Sequence, residues 1–228
     1  MMKIWICIVF LMLVGSSATA QVAPEPGGEK KKGDPAFAKV TDDPKLPRVL
    51  IIGDSISIGY TPALRDLLKG KANVHRIPTN GGPTSNGIKN VEAWLGKEKW
   101  DVIHFNFGLH DLKVMPDGKH QVEREQYEQN LAALVDRFNK TGAKVIWATT
   151  TPVPEGTLNP PRRFGDVAEY NAVAAKVMAE KRVAIDDLSA AVAPNIKTLQ
   201  KPHDVHYTAE GYKVLAVEVA KSIEAALR

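Results

Sequence analysis

Apolar residues along this chain alternate between two rhythms. Short, nearly unbroken apolar runs fall at 48–53, 73–77, 100–107, 143–150 and 183–186. They have the length and the β-branched and aromatic content of buried strands. Between them the apolar positions recur at helical spacing. Ile58, Leu64, Leu67 and Leu68 share a face over 57–69, and Tyr127, Leu131, Leu134, Val135 and Phe138 share one over 122–139. Further helices are predicted over 86–95, 166–181 and 209–227, and an irregular loop over 151–164, where four prolines break any periodicity. Strands buried on both sides and separated by amphipathic helices imply a parallel sheet between two helical layers. The fold class is therefore α/β, a three-layer α/β/α sandwich with a five-stranded parallel sheet.

The chain before residue 48 departs from this pattern. Met1-Met2-Lys3 gives a positive start, residues 4–14 are apolar, and small residues lead to Ala18-Thr19-Ala20. An apolar run this short falls below the ~20 residues a membrane-spanning helix needs. Residues 1–20 read as a signal peptide cleaved before Gln21, with an uncleaved membrane anchor as the alternative. Residues 21–47 are rich in Pro, Gly, Lys and acids without apolar periodicity, the composition of a flexible linker. The folded domain then spans 48–228. Cleavage would remove Cys7, the single cysteine, and with it any disulfide, thiolate metal site or cysteine nucleophile. Export to the periplasm or the medium is the expected address, with no membrane contact after cleavage.

The formal net charge of +4 raises the question of a polyanionic partner. Residues 48–228 carry 24 basic and 21 acidic side chains, interspersed along the chain. A nucleic-acid groove needs clustered basic residues, so no nucleic-acid partner is expected. Asn80-Gly81-Gly82-Pro83 fits neither G-x-G-x-x-G nor the P-loop spacing, and no His and acid residues show metal-ligand spacing. Neither a cofactor nor a metal is expected.

Ligands of an open parallel sheet sit beyond the carboxyl ends of its strands. Four chemically suggestive clusters fall there: Gly53-Asp54-Ser55, Asn80-Gly81-Gly82, Gly108-Leu109-His110-Asp111, and His203-Asp204-Val205-His206. Each has a plain structural reading as well. Ser55 is either a nucleophile or the cap of the next helix, Gly82 a turn residue, and Asp111 a cap. Asp54, beside the serine, is assigned to loop geometry.

Gly53-Asp54-Ser55 behind an apolar strand, together with Asp204-Val205-His206-Tyr207-Thr208 before Gly211-Tyr212, resembles the GDSL/SGNH hydrolases. These are serine esterases and lipases of flavodoxin-like topology, and the resemblance covers roughly residues 48–228. Strand order 2-1-3-4-5 follows by the same analogy. The resemblance implies Ser55 as nucleophile, His206 as its base, and an oxyanion hole from Ser55, Gly82 and His110, with Gly81 the neighbouring alternative to Gly82. Three positions depart from the family pattern. Ile56 replaces Leu in the name motif. His110 stands where Asn is usual, and either donates in its place or points elsewhere. His203 occupies the usual acid position, so Asp204, two residues before His206, either completes a triad or leaves a Ser–His dyad.

The expected activity is that of a secreted serine esterase hydrolysing short-chain acyl esters, acetyl above all, of a small molecule or glycan, with carbohydrate favoured, by a Ser-His(-Asp) acyl-enzyme route. Tyr60, Phe107 and Tyr207 are taken as aromatic residues near the site, and Arg162 and Arg163 as either acid-sugar contacts or plain surface. The alternatives are a lysophospholipase or arylesterase of the same fold, or a non-catalytic carbohydrate-binding domain derived from it.

Overall fold

The computed structural model describes residues 33–228. Among these residues, five strands run in parallel in the order β2-β1-β3-β4-β5: β1 is Arg48–Ile52, β2 Asn73–Arg76, β3 Val102–Phe105, β4 Lys144–Ala148 and β5 Ala184–Asp186. The expected order is thus observed. Val49–Ile52 and all of β3 are buried, which is why their sequence reads as continuous apolar runs. The strand is shorter than the apolar run expected at 100–107: before it the Asp101 carboxylate accepts from the Arg48 amide at 2.8 Å, and after it the Asn106 side chain donates to the Ala148 carbonyl at 2.8 Å.

Among the described residues, seven α-helices cover the sheet: α1 (Ser55–Leu67), α2 (Thr84–Leu95), α3 (Arg124–Asn139), α4 (Asp166–Lys181), α5 (Leu188–Val192), α6 (Ile196–Leu199) and α7 (Ala209–Leu227). α1 packs on α7, which also holds α5 and α6, while α2, α3 and α4 pack in sequence as the second layer. The short α5 and α6 were not anticipated, since four or five residues carry too little periodicity to register. Gly59 lets α1 and α7 approach closely: a Cβ there would lie 2.1 Å from the Tyr212 ring.

The linker expected over 21–47 lies outside the described residues as far as 32, as does the signal segment. Residues 33–47 lie on the domain. Asp34 caps a 3-10 helix at Pro35–Phe37, and Arg65 donates to the Pro35 carbonyl at 2.7 Å. Asp42 meets both His75 (2.6 Å) and Arg48 (2.7 Å), and Asn73 exchanges hydrogen bonds with Asp43. Short polar side chains thus dock a segment that lacks an apolar pattern.

Candidate active site

β1 sits between β2 and β3, so the crevice at its carboxyl end is where the chain order of the sheet reverses. Helix α1 begins there, at Ser55 itself, two residues before the predicted start. Asp54 is the cap: its carboxylate accepts from the Ile56 amide at 2.9 Å. This corrects the capping alternative for the serine. With Asp54 in the capping position, Ser55 is the first helical residue, half-buried, with its hydroxyl at the cleft.

A second polar layer fixes this turn from behind. The guanidinium of the buried Arg76 donates to the carbonyls of Gly53, Ile77 and Thr79 and to Ser57 Oγ, at 2.8–3.2 Å. Ser57 Oγ in turn donates to the Asp54 carbonyl at 2.7 Å. Burial lowers the Arg76 pKa to about 10, the nearby acid groups opposing it, so it stays charged at neutral pH. One cation therefore ties the Ser55 turn to the loop after β2. Its sequence gives no hint of this, because Arg76 looks like an ordinary strand-end arginine.

The histidine arrives from the far end of the chain. Residues 200–207 form a closed loop: Gln200 and Tyr207 are bridged, Lys201 donates to the His206 carbonyl at 2.9 Å, and Gln200 Nε2 donates to the Pro152 carbonyl at 2.7 Å. His203 takes a left-handed backbone (φ 54°), which bends the loop just before Asp204. Asp204 Oδ1 then lies 3.1 Å from the His206 amide and 2.7 Å from its Nδ1, and His206 Nε2 lies 2.9 Å from Ser55 Oγ. A carboxylate only accepts, so Nδ1 carries the proton and Nε2 faces the serine hydroxyl as acceptor. Burial alone would raise the Asp204 pKa. The hydrogen bonds from the His206 backbone and ring, with the charges of His206 and Lys201, outweigh it and hold the carboxyl below its ordinary value.

The other expected donors are less simply arranged. Gly81 donates its amide to the Gly53 carbonyl at 2.9 Å, inside the loop. Gly82, with φ 63°, donates to Asn80 Oδ1 at 2.9 Å. His110 is half-buried and lines the same cleft as Ser55 and His206. Its neighbour Asp111 is fully buried and accepts from both the amide (2.8 Å) and the hydroxyl (2.5 Å) of Thr84, which locks the start of α2 to the loop after β3. Desolvation raises the Asp111 pKa to about 7, against the opposing Thr84 hydrogen bonds.

The cleft above these groups has a volume of about 690 Å³. Its walls include Leu158 and Arg162 from the 151–164 loop, and Lys113, which sequence reasoning missed because nothing in its local pattern distinguishes it from a surface lysine. Tyr60, Phe107 and Tyr207 are no more than 2 % exposed and do not line it, so the expected aromatic surface is corrected. Their ring area goes into the core, where it is most strongly stabilising. His75, His104 and His120 pair with Asp42, Asp186 and Asp166, away from Ser55. Among the described residues, no three His, Cys, Asp or Glu side chains converge as metal ligands would.

Comparison with known proteins is decisive on kinship. A model of the GDSL-like lipase/acylhydrolase family matches residues 51–214. The chain belongs to that family. That family is one of lipases and acylhydrolases, which cleave ester bonds. Solved structures similar to this GDSL-like chain include the acetyl xylan esterase AlAXEase, with TM-score 0.67 and 18% identity over 77% of this chain and 99% of that one. The lipase/acylhydrolase from Enterococcus faecalis gives 0.67 and 24% over 78% and 96%. Axe2, an acetylxylan esterase from Geobacillus stearothermophilus, gives 0.65 and 22% over 78% and 94%. At these identities the likeness establishes the fold. The uncharacterised lipoprotein YqeF of Bacillus subtilis is 25% identical over 121 residues, 47% of this chain, and the chain spans about half of that relative's length.

Proposed function

We propose that the protein is an exported serine esterase that removes short acyl groups, acetyl above all, from carbohydrate. The observation that carries this reading is the hydrogen-bonded series from Ser55 Oγ through His206 to Asp204 at the edge of an open cleft. In the proposed reaction, Ser55 Oγ attacks the acyl carbonyl while its proton passes to His206 Nε2. Asp204 holds the imidazole in the Nδ1–H tautomer and stabilises the imidazolium that forms. The oxyanion takes the amides of Ser55 and Gly82, with Asn80 Oδ1 giving up the latter, and an N–H of His110. Collapse expels the alcohol, which receives the proton from His206. Water then repeats the sequence on the acyl-enzyme and releases the acid.

Two features support a small acyl group on a polar alcohol. The cleft walls are rich in polar side chains, with Leu158 and Val205 among few apolar ones, which disfavours a long acyl chain. The acetyl xylan esterases among the similar structures act in the same direction as precedents for the fold. Export rests on the amino-terminal pattern of residues 1–20 and on the lipoprotein relative. Hydrolysis of p-nitrophenyl acetate by the natural protein and by Ser55→Ala tests the proposal. The substitution is expected to lower kcat by several powers of ten, and equal background rates in both would overturn the esterase assignment to Ser55.

A further inference from the structure

We infer that Arg76 is a positioning residue for the esterase reaction, aligning the Ser55 turn with the loop that bears Gly82, and that Phe37 of the amino-terminal segment holds its guanidinium in place. The inference rests on the reading of Ser55 as nucleophile and of the Ser55 and Gly82 amides as oxyanion donors. Arg76 ends β2, is 9% exposed, and is not a wall of the cleft itself.

The two terminal nitrogens of Arg76 hold different segments. Nη2 donates to the Gly53 carbonyl at 3.2 Å and to Ser57 Oγ at 2.8 Å, both around Ser55. Nη1 donates to the carbonyls of Ile77 and Thr79, each at 3.0 Å, in the loop after β2. One rigid plane thus sets the spacing of two backbone segments, which the ammonium of a flexible lysine would fix less well. The segments also touch directly at this place, where the Gly53 carbonyl accepts from the Gly81 amide at 2.9 Å.

The same contacts aim an amide. In a planar trans peptide the N–H points opposite to the carbonyl it is bonded to. Ser57 Oγ, held by Arg76, donates to the Asp54 carbonyl at 2.7 Å and so fixes the peptide plane between Asp54 and Ser55. The Ser55 amide is thereby turned away from the Asp54–Ser57 contact. Stabilisation of an oxyanion depends on donors aimed in advance, and small misplacements are costly in rate. Phe37 covers the other side of the guanidinium, its ring centroid 4.9 Å from Arg76 Cζ. Phe37 is anchored in turn: its amide donates to the Asp34 carbonyl at 3.0 Å, and Arg65 of α1 binds the Pro35 carbonyl. The segment at 33–37 is therefore joined both to Arg76 and to the helix that Ser55 opens.

Arg76→Met, Arg76→Lys and Phe37→Leu test the inference on p-nitrophenyl acetate. Arg76→Met is expected to lower kcat about 100-fold with KM little changed, the scale of one misplaced oxyanion donor. Arg76→Lys keeps the charge without the fork and should recover only part of that loss. Phe37→Leu should show a smaller loss of the same kind. A merely structural role would lower the melting temperatures and leave kcat per folded molecule at the natural value, which would overturn the inference. Because Arg76→Met can fail to fold, amide hydrogen exchange of Phe37→Leu gives a second reading that needs no catalysis. Peptides covering 53–58 and 79–84 should exchange faster together, while 200–207 exchanges as in the natural protein. Faster exchange in neither peptide, or in all three alike, would overturn the inference. If Ser55→Ala hydrolyses the ester as fast as the natural protein, the nucleophile reading falls, and the exchange result still decides whether Arg76 and Phe37 join the two segments.

Discussion

Asp204 reaches His206 from only two residues away, and a single backbone angle makes that possible. The left-handed His203 turns the chain so that one carboxylate oxygen meets both the His206 amide and its Nδ1. The sequence holds the acid and the histidine but not the bend, because a histidine at positive φ is uncommon and carries no local signature. The prediction at this scale is that Asp204→Ala lowers kcat by up to ~10,000-fold with little change in KM, as expected when an orienting carboxylate is lost. Steady-state kinetics on p-nitrophenyl acetate measure it, and an unchanged kcat would assign the activity to a Ser–His dyad. Since the Asp204 pKa is lowered on folding, its stabilising contribution is present above the ordinary carboxylate pKa and fades as pH falls through the folded value. Lys113 makes the opposite lesson at the same scale. Its type and position were visible, but its burial at the cleft is a property of the folded chain.

At the scale of elements, the site depends on how closely α1 and α7 pack. Ser55 opens α1, His206 lies three residues before α7, and Thr208 caps α7 by accepting from the Gly211 amide at 3.1 Å. Gly59 and Tyr212 meet midway, where a side chain on Gly59 has no room. Gly59→Ala is therefore expected to force the helices apart, costing ~1–3 kcal/mol in stability by overpacking. The Ser55–His206 hydrogen bond should lengthen with it, so kcat should fall alongside the melting temperature. Thermal unfolding and steady-state kinetics on the purified variant check both, and a full kcat at a lowered melting temperature would show that the site tolerates the helix shift. The strong helical periodicity of α3 and α7 and the apolar runs of β1 and β3 were legible beforehand because each is a local property of its own segment. The start of α1 was misplaced by two residues because Asp54 and Ser55 are both good caps, and only the folded backbone selects between them.

For the whole molecule, stability and pH are linked through Asp111. Its carboxyl is buried between the loop after β3 and the start of α2, with a folded pKa of about 7 against an ordinary 3.8. The folded state thus holds a proton that the unfolded chain gives up, so the group's contribution is full below about pH 4 and is lost as pH rises towards 7. Relative to Asp111→Asn, which keeps an oxygen facing Thr84, the natural protein should lose melting temperature across that interval and hold a constant difference above it. A pH-independent difference in thermal unfolding would show that Asp111 stays in one charge state throughout.

The docked segment at 33–47 makes the same point about range. Its contacts from Asp42 to His75, Asp43 to Asn73 and Pro35 to Arg65 join residues thirty or more positions apart. No local composition rule sees them, and the segment reads as a linker for that reason. By itself the sequence determined the α/β class, the order of the elements, and the residues that resemble an esterase's nucleophile and base, because apolar periodicity and short motifs are written in neighbouring positions. Only the tertiary structure decided that Asp54 rather than Ser55 caps the helix, that Asp204 meets His206, that Arg76 ties the Ser55 turn to the loop after β2, and that Lys113 lines the cleft. Those outcomes depend on desolvation and on hydrogen-bond partners brought together across the sheet, and neither exists until the chain has folded.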